Sequence, residues 1–84
     1  MNSNPRIKVA AAALNQIPLD WAGNRQRITT AIDLARDAGA SVLCLPELCI
    51  TGYGCEDAFL SRAVVERAWN EALGHCESTK GMVV

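Results

Sequence analysis

No apolar run in this sequence approaches the ~20 residues that a membrane-spanning helix requires, which points to a chain outside the membrane. The stretch Val9 to Leu14, preceded by Arg6 and Lys8, falls short of the ~7–15 residues of a signal-peptide core, and the expected compartment is the cytoplasm. A surplus of positive charge is missing too. Eight Lys and Arg stand against nine Asp and Glu, a net charge of −1, and that excludes the basic surface on which nucleic-acid binding depends. There are no internal repeats and no low-complexity linker, so 84 residues leave room for one small domain. Half the residues are hydrophobic and one fifth charged, an ordinary globular balance that argues against disorder along the whole length.

Zinc-type spacing is also lacking. The four cysteines at 44, 49, 55 and 76 are separated by four, five and twenty residues, and none of these intervals is a common zinc pair. The lone His75 precedes Cys76 at an expected helix end, where a solvated or capping role is the ordinary one. Four free thiols in a reducing compartment are expected, with Cys44 acting as a small hydrophobe inside a strand.

Ile7 to Leu14 is strand-like and alanine-rich, as suits a strand pressed closely by helices. After the Ile17-Pro18-Leu19 loop, Asp20 is placed to cap a helix. Ile28, Ala31, Ile32, Ala35 and Ala38 recur at intervals of three and four, forming one apolar stripe that ends at Gly39. Arg25, Arg27, Asp33, Arg36 and Asp37 are expected on the solvated faces of that helix. Ser41 to Leu45 is a second strand, parallel to the first if the crossover is right-handed. A second helix is expected from about Ser61 to Leu73, burying Val64, Val65, Ala68, Trp69, Ala72 and Leu73. Glu77 to Gly81 is a connection, and Met82-Val83-Val84 begins another apolar strand. A β-α-β-α-β piece of this size has too few strands to cover both faces and both edges of a parallel sheet. The chain is therefore expected to be the amino-terminal fragment of a larger α/β domain.

The most informative stretch is Val42-Leu43-Cys44-Leu45-Pro46-Glu47-Leu48-Cys49-Ile50-Thr51-Gly52-Tyr53-Gly54. Pro46 has no N–H for a sheet ladder, so the strand must stop there. Glu47 is thereby placed at the carboxyl end of a strand, where open α/β sheets hold their ligands. Gly52 and Gly54, flanking Tyr53, permit a sharp and closely packed loop. Two readings of Glu47 stand on the residues alone: a solvated loop carboxylate, or a general base directed into a concavity.

The string LCLPELCITGYGCEDAFL resembles the glutaminase part of the glutamine-dependent NAD synthetases, members of the nitrilase superfamily. IKVAAAALNQIPLDWAGN and RITTAIDLARDAGASVL resemble that family's first strand, its Asp-x-x-x-Asn segment and its first helix. The resemblance implies an α/β fold, the N-terminal β-α-β-α-β portion of a nitrilase-type α-β-β-α sandwich. Residues 1–84 would then be an incomplete carbon–nitrogen hydrolase domain, with its remainder and any synthetase domain absent. It further implies that Glu47 is the general base of a Glu–Lys–Cys triad acting on glutamine, and Tyr53 is a candidate for lining the glutamine pocket, against simple packing of its ring. The Lys and the nucleophilic Cys have no matching positions here, so the segment alone is expected to be inactive. Cys55-Glu56-Asp57 spells the tripeptide that surrounds the family's nucleophile, but it falls in the Gly-Tyr-Gly loop rather than after a later strand, and Cys55 is set aside. Lys80 is likewise too early in the chain to be the family's Lys. No cofactor is expected in this segment; ATP and magnesium are implied for a synthetase domain that amidates deamido-NAD, and the intact protein is expected to be a homo-oligomer. The alternatives are another amidohydrolase of the same superfamily, or a non-catalytic α/β interaction module.

Overall fold

The computed structural model describes residues 6–84. The elements follow one another as β1 (Val9–Ala11), α1 (Trp21–Asp37), β2 (Val42–Cys44), a 3-10 helix (Glu56–Leu60) and α2 (Arg62–Leu73). β1 and β2 are parallel, with Val9 opposite Val42, Ala10 opposite Leu43 and Ala11 opposite Cys44. Both strands are shorter than their sequence patterns suggest, yet the pairing continues at each end. Ser41 N donates to Lys8 O (2.8 Å) and Ala12 N to Cys44 O (3.0 Å). The expected third strand is represented by one parallel bridge between Val42 and Val83, in which Leu43 N donates to Val83 O (2.8 Å). β2 is therefore flanked on both sides. The expected Met1–Pro5 tail lies outside the described residues.

α1 starts where its cap predicts, with Asp20 Oδ1 accepting from Gly23 N at 3.2 Å. It stops at Gly39, whose φ of 81° lies in the left-handed region that glycine enters freely. Ile28, Ala31, Ile32 and Ala35 are buried and meet Ala40 and Leu43 in one core, against which Ala10, Ala12, Leu14, Leu45, Cys49, Ile50 and Met82 pack. Ala38, at the end of the same stripe, is exposed. Because β2 alternates, Leu43 faces this core while Cys44 points the other way and is exposed. The expectation that Cys44 is a buried hydrophobe is thereby corrected. All four cysteines are free. Among the described residues no helix is long and apolar enough to cross a membrane.

α2 departs from its predicted face. Val64, Ala68 and Ala72 are half-buried, whereas Val65 is 55% exposed, Trp69 67% and Leu73 52%. Three residues at intervals of four make a narrow contact line, and the residues beside that line remain in solvent. Polar ties hold the helix instead. Arg25 donates to both Glu71 oxygens (Nε to Oε2 2.9 Å, Nη2 to Oε1 3.0 Å), and Arg67 Nε reaches Glu71 Oε1 at 3.0 Å while its guanidinium lies 5.2 Å from the Trp21 ring centroid. Arg36 Nη2 donates to Ser78 O (2.6 Å) and Lys80 O (2.9 Å). Arg25 and Arg36 lie on the exposed face of α1, as expected, and also cross-link it to α2 and to the turn after it.

Two outcomes follow for stability. Ile32 is fully buried, so Ile32→Ala should lower the unfolding free energy by ~2–5 kcal/mol, while Leu34→Ala on the exposed face should change it by about 0.5 kcal/mol or less; urea denaturation checks the contrast. The hydrogen bond from Arg25, assisted by Arg67, holds the Glu71 carboxyl below the ordinary carboxylate range. A carboxylate held low in the folded state stabilises it above the unfolded value and loses that contribution as pH falls through the folded value. Glu71→Gln should therefore flatten the acid limb of a stability-against-pH curve and leave its slope above neutrality unchanged.

Candidate functional site

Leu45 and Pro46 end the ladder of β2, and the chain turns over Glu47–Thr51 before a bend at Tyr53. Glu47 thus stands just beyond the carboxyl end of the second strand, as its position after Pro46 implies. Its side chain is exposed, and among the described residues it has no ion-pair partner. The surface of the described residues includes three open grooves. One, of about 620 Å³, runs beneath this turn and is lined by Leu45, Pro46, Cys49, Ile50, His75 and Val84 among others. The others, of about 480 Å³ and 450 Å³, lie against Ala10–Leu14 and against α2. Glu47 lines none of the three, and neither does Tyr53. The Glu47 neighbours Cys49 and Ile50 line the groove beneath the turn, whereas Glu47 itself is exposed.

The conformation of the turn is unusual at its start. Leu48 has φ 55°, a left-handed value that costs a non-glycine residue about 1–2 kcal/mol. The surroundings hold it there through the three carbonyls that follow. Gln16 Nε2 donates to Cys49 O (2.6 Å), Asn24 Nδ2 to Ile50 O (3.3 Å) and Leu19 N to Thr51 O (2.7 Å). Each donor comes from the connection between β1 and α1 or from the first turn of α1.

Asn24 is fully buried. Its amide group also closes the Ile17 backbone, with Ile17 N donating to Oδ1 (3.0 Å) and Nδ2 donating to Ile17 O (2.8 Å). Arg27 completes the cluster through Nη2 to Asn24 Oδ1 (2.7 Å) and Nε to Gln16 Oε1 (2.7 Å). Among the described residues no buried side-chain nitrogen or oxygen lacks a partner. Sequence reasoning assigned Arg27 to a solvated face and gave no role to Gln16 or Asn24. The available signal was Asn24 in Asp-x-x-x-Asn, a polar residue one turn ahead of Ile28 on the inward stripe.

Gly52 and Gly54 differ in what they allow. Gly52 has φ 86°, and a Cβ there would lie 2.5 Å from Ile17 O, so the loop touches the β1–α1 connection backbone to backbone. Gly54 has φ 77°, but the nearest atom to a Cβ is Pro18 Cγ at 3.9 Å. Tyr53 between them is 46% exposed.

Cys55 is buried, and its thiol donates to Gly52 O (3.3 Å) and Thr51 O (3.4 Å), a structural use of the sulfur within the same loop. Lys80 is exposed and paired with Glu77 at 2.9 Å. Burial pushes the Cys49 thiol above its ordinary range and pushes His75 below its own. Both shifts favour neutral groups around the groove under the turn. Among the described residues no three His, Cys, Asp or Glu side chains converge on a common point where a metal could sit.

Gly52→Ala should force the Ile17 and Gly52 backbones apart and lower the unfolding free energy by more than Gly54→Ala, which meets only the left-handed penalty of about 1–2 kcal/mol. Chemical denaturation of the two variants side by side measures the difference.

The chain is similar to known proteins. A profile of the family described as "Carbon-nitrogen hydrolase" matches residues 8–83. The glutamine-dependent NAD(+) synthetase of Saccharomyces cerevisiae is 48% identical over 63 residues, covering 75% of this chain and 9% of the yeast protein. That of Dictyostelium discoideum is 38% identical over 81 residues, 93% of this chain and 11% of that protein. The crystal structure of a glutamine-dependent NAD(+) synthetase from Cytophaga hutchinsonii superimposes with a TM-score of 0.88 at 46% identity, covering 90% of this chain and 13% of that one. The chain spans about a tenth of the length of the relatives it matches.

Proposed function

The chain belongs to the carbon–nitrogen hydrolase family, and on that premise we propose that it supplies the general base of a glutamine-hydrolysing site in a glutamine-dependent NAD synthetase. The observation that carries this reading is Glu47 at the carboxyl end of β2, in a chain 38–48% identical to proteins bearing that name. In the proposed reaction a cysteine thiolate attacks the side-chain amide carbon of glutamine. Glu47 accepts the thiol proton and returns a proton to the departing ammonia, and a lysine steadies the oxyanion. Water deprotonated by Glu47 next hydrolyses the glutamyl thioester, releasing glutamate and restoring the cysteine. The ammonia then amidates deamido-NAD at an ATP- and magnesium-dependent synthetase domain.

No residue of this chain is assigned the roles of nucleophile or oxyanion Lys. Cys55 is engaged with loop carbonyls and Lys80 with Glu77. The 84-residue chain is accordingly read as one part of the hydrolase domain, without turnover of its own. Tyr53, exposed beside Glu47's turn, is assigned to the wall of the glutamine pocket. A cytoplasmic homo-oligomer completes the reading.

Glu47→Gln in the full-length protein that carries this sequence tests it. The substitution keeps shape and removes the basic carboxylate, and general acid–base assistance is typically worth about 10²–10⁴ in rate. Glutamine-dependent NAD formation should fall by at least that factor, while NAD formation from free ammonia and the thermal midpoint stay near wild type. Retention of glutamine-dependent activity would mean that Glu47 is only a loop carboxylate. Loss of both activities together with thermal stability would mean that it holds the fold.

A further inference from the structure

Resting on the reading of Glu47 as general base, we propose that Gln16 is a positioning residue for that base, with Asn24 and Arg27 as its support. Glu47 has no ion-pair partner among the described residues and is exposed, so its placement comes from the backbone that carries it. That backbone enters a left-handed conformation at Leu48, φ 55°, a state that persists only where surroundings over-determine it. Here they do so through the three consecutive carbonyls at 49, 50 and 51, held by Gln16, Asn24 and Leu19.

The shortest of these bonds is Gln16 Nε2 to Cys49 O, at 2.6 Å. Gln16 is well suited to aim the turn. Its Nε2 also donates to Asn24 O (3.1 Å) and its Oε1 accepts from Arg27 Nε (2.7 Å). Arg27 is itself fixed on Asn24 Oδ1. The amide of Gln16 is therefore orientated at both ends before it meets the turn. A side chain fixed in this way transmits the position of α1 to the residues that follow Glu47, two residues upstream of the gripped carbonyl.

Two substitutions separate this role from simple stabilisation. Gln16→Met removes the donor and keeps length and volume. Gln16→Glu keeps an acceptor for Arg27 and removes only the N–H donors, so it serves where the first variant fails to fold. Kinetics of glutamate release from glutamine are measured in the full-length protein for wild type, each Gln16 variant, Glu47→Gln and the double variants. Misplacement of a catalytic group by about 1 Å can cost roughly 10²-fold, and kcat is expected to fall by roughly 10- to 100-fold with KM within about twofold of wild type. On the Glu47→Gln background the same Gln16 change is expected to add less than about twofold, because a positioning residue has nothing left to position.

Normal kcat in both Gln16 variants, with Glu47→Gln impaired, overturns this inference and leaves the proposed function standing. A full additional loss on the Glu47→Gln background, or a rise in KM in place of the fall in kcat, also overturns it. Unimpaired Glu47→Gln removes the proposed function, and the positioning role falls with it.

Discussion

Asn24 is the residue on which the described structure turns. It is fully buried on the inward stripe of α1, one turn before Ile28, where an apolar side chain would be the simpler choice. A buried amide left unpaired would cost about 1–3 kcal/mol. Every polar atom of this one has a partner: Ile17 on both of its backbone groups, the Ile50 carbonyl and Arg27. Bonding outward from a helix to two separate loops makes Asn24 the common point of the β1–α1 connection and the turn after β2. The same two segments are also joined by Gln16 to the Cys49 carbonyl, by Leu19 N to the Thr51 carbonyl and by the close approach of Gly52 to Ile17. One is a proline-containing loop and the other follows a proline, so neither can extend the sheet.

The remaining architecture divides into an apolar and a polar part. Ile28, Ala31, Ile32 and Ala35 fasten α1 to Leu43 and the alanines of β1 through non-directional burial, which sets the distance between helix and sheet. The polar cluster at the start of α1 sets the register of the loops at one end of the sheet. At the far side, Arg25 and Arg36 fasten α2 and the Ser78–Lys80 turn. α2 is thus attached by charge and by the short side chains of Ala68 and Ala72, while Trp69 on the same helix remains in solvent.

Much of this was legible in the sequence for identifiable reasons. The three- and four-residue spacing of Ile28 to Ala35, the capping position of Asp20, the stop at Gly39 and the break at Pro46 are local signals, and each acts through the backbone of its own segment. α1 and the order of strands follow from them. What failed was long-range. The face of α2 was inferred from periodicity, but periodicity gives a helix two adjacent apolar rows without saying which one meets a neighbour. Cys44 was assigned to the interior from its apolar surroundings, although alternation along β2 sends it to the side opposite Leu43. Arg25 and Arg36 bond across 46, 42 and 44 residues of chain, separations at which a single sequence carries no pairing signal. For Glu47, position was legible from Pro46, while orientation depends on the Leu48 dihedral and on donors more than twenty residues away.

Placement and desolvation are therefore separate requirements for the proposed chemistry. A proton acceptor must be held within hydrogen-bond reach of the proton it takes, and the grip on the Cys49, Ile50 and Thr51 carbonyls provides a fixed base for that. Strong electrostatic assistance also requires that water be excluded from the reacting groups. Glu47 is in solvent, and Tyr53, the nearest aromatic along the chain, is half-exposed beside it. The apolar lining around Cys49, Ile50 and His75 lies under the turn, and Glu47 is not part of it. For Glu47 to act as the proposed base, water would have to be kept from it by groups other than the turn that carries it. The described elements supply a rigid carboxylate mount; the enclosure that would make it a base is a property of the site as assembled.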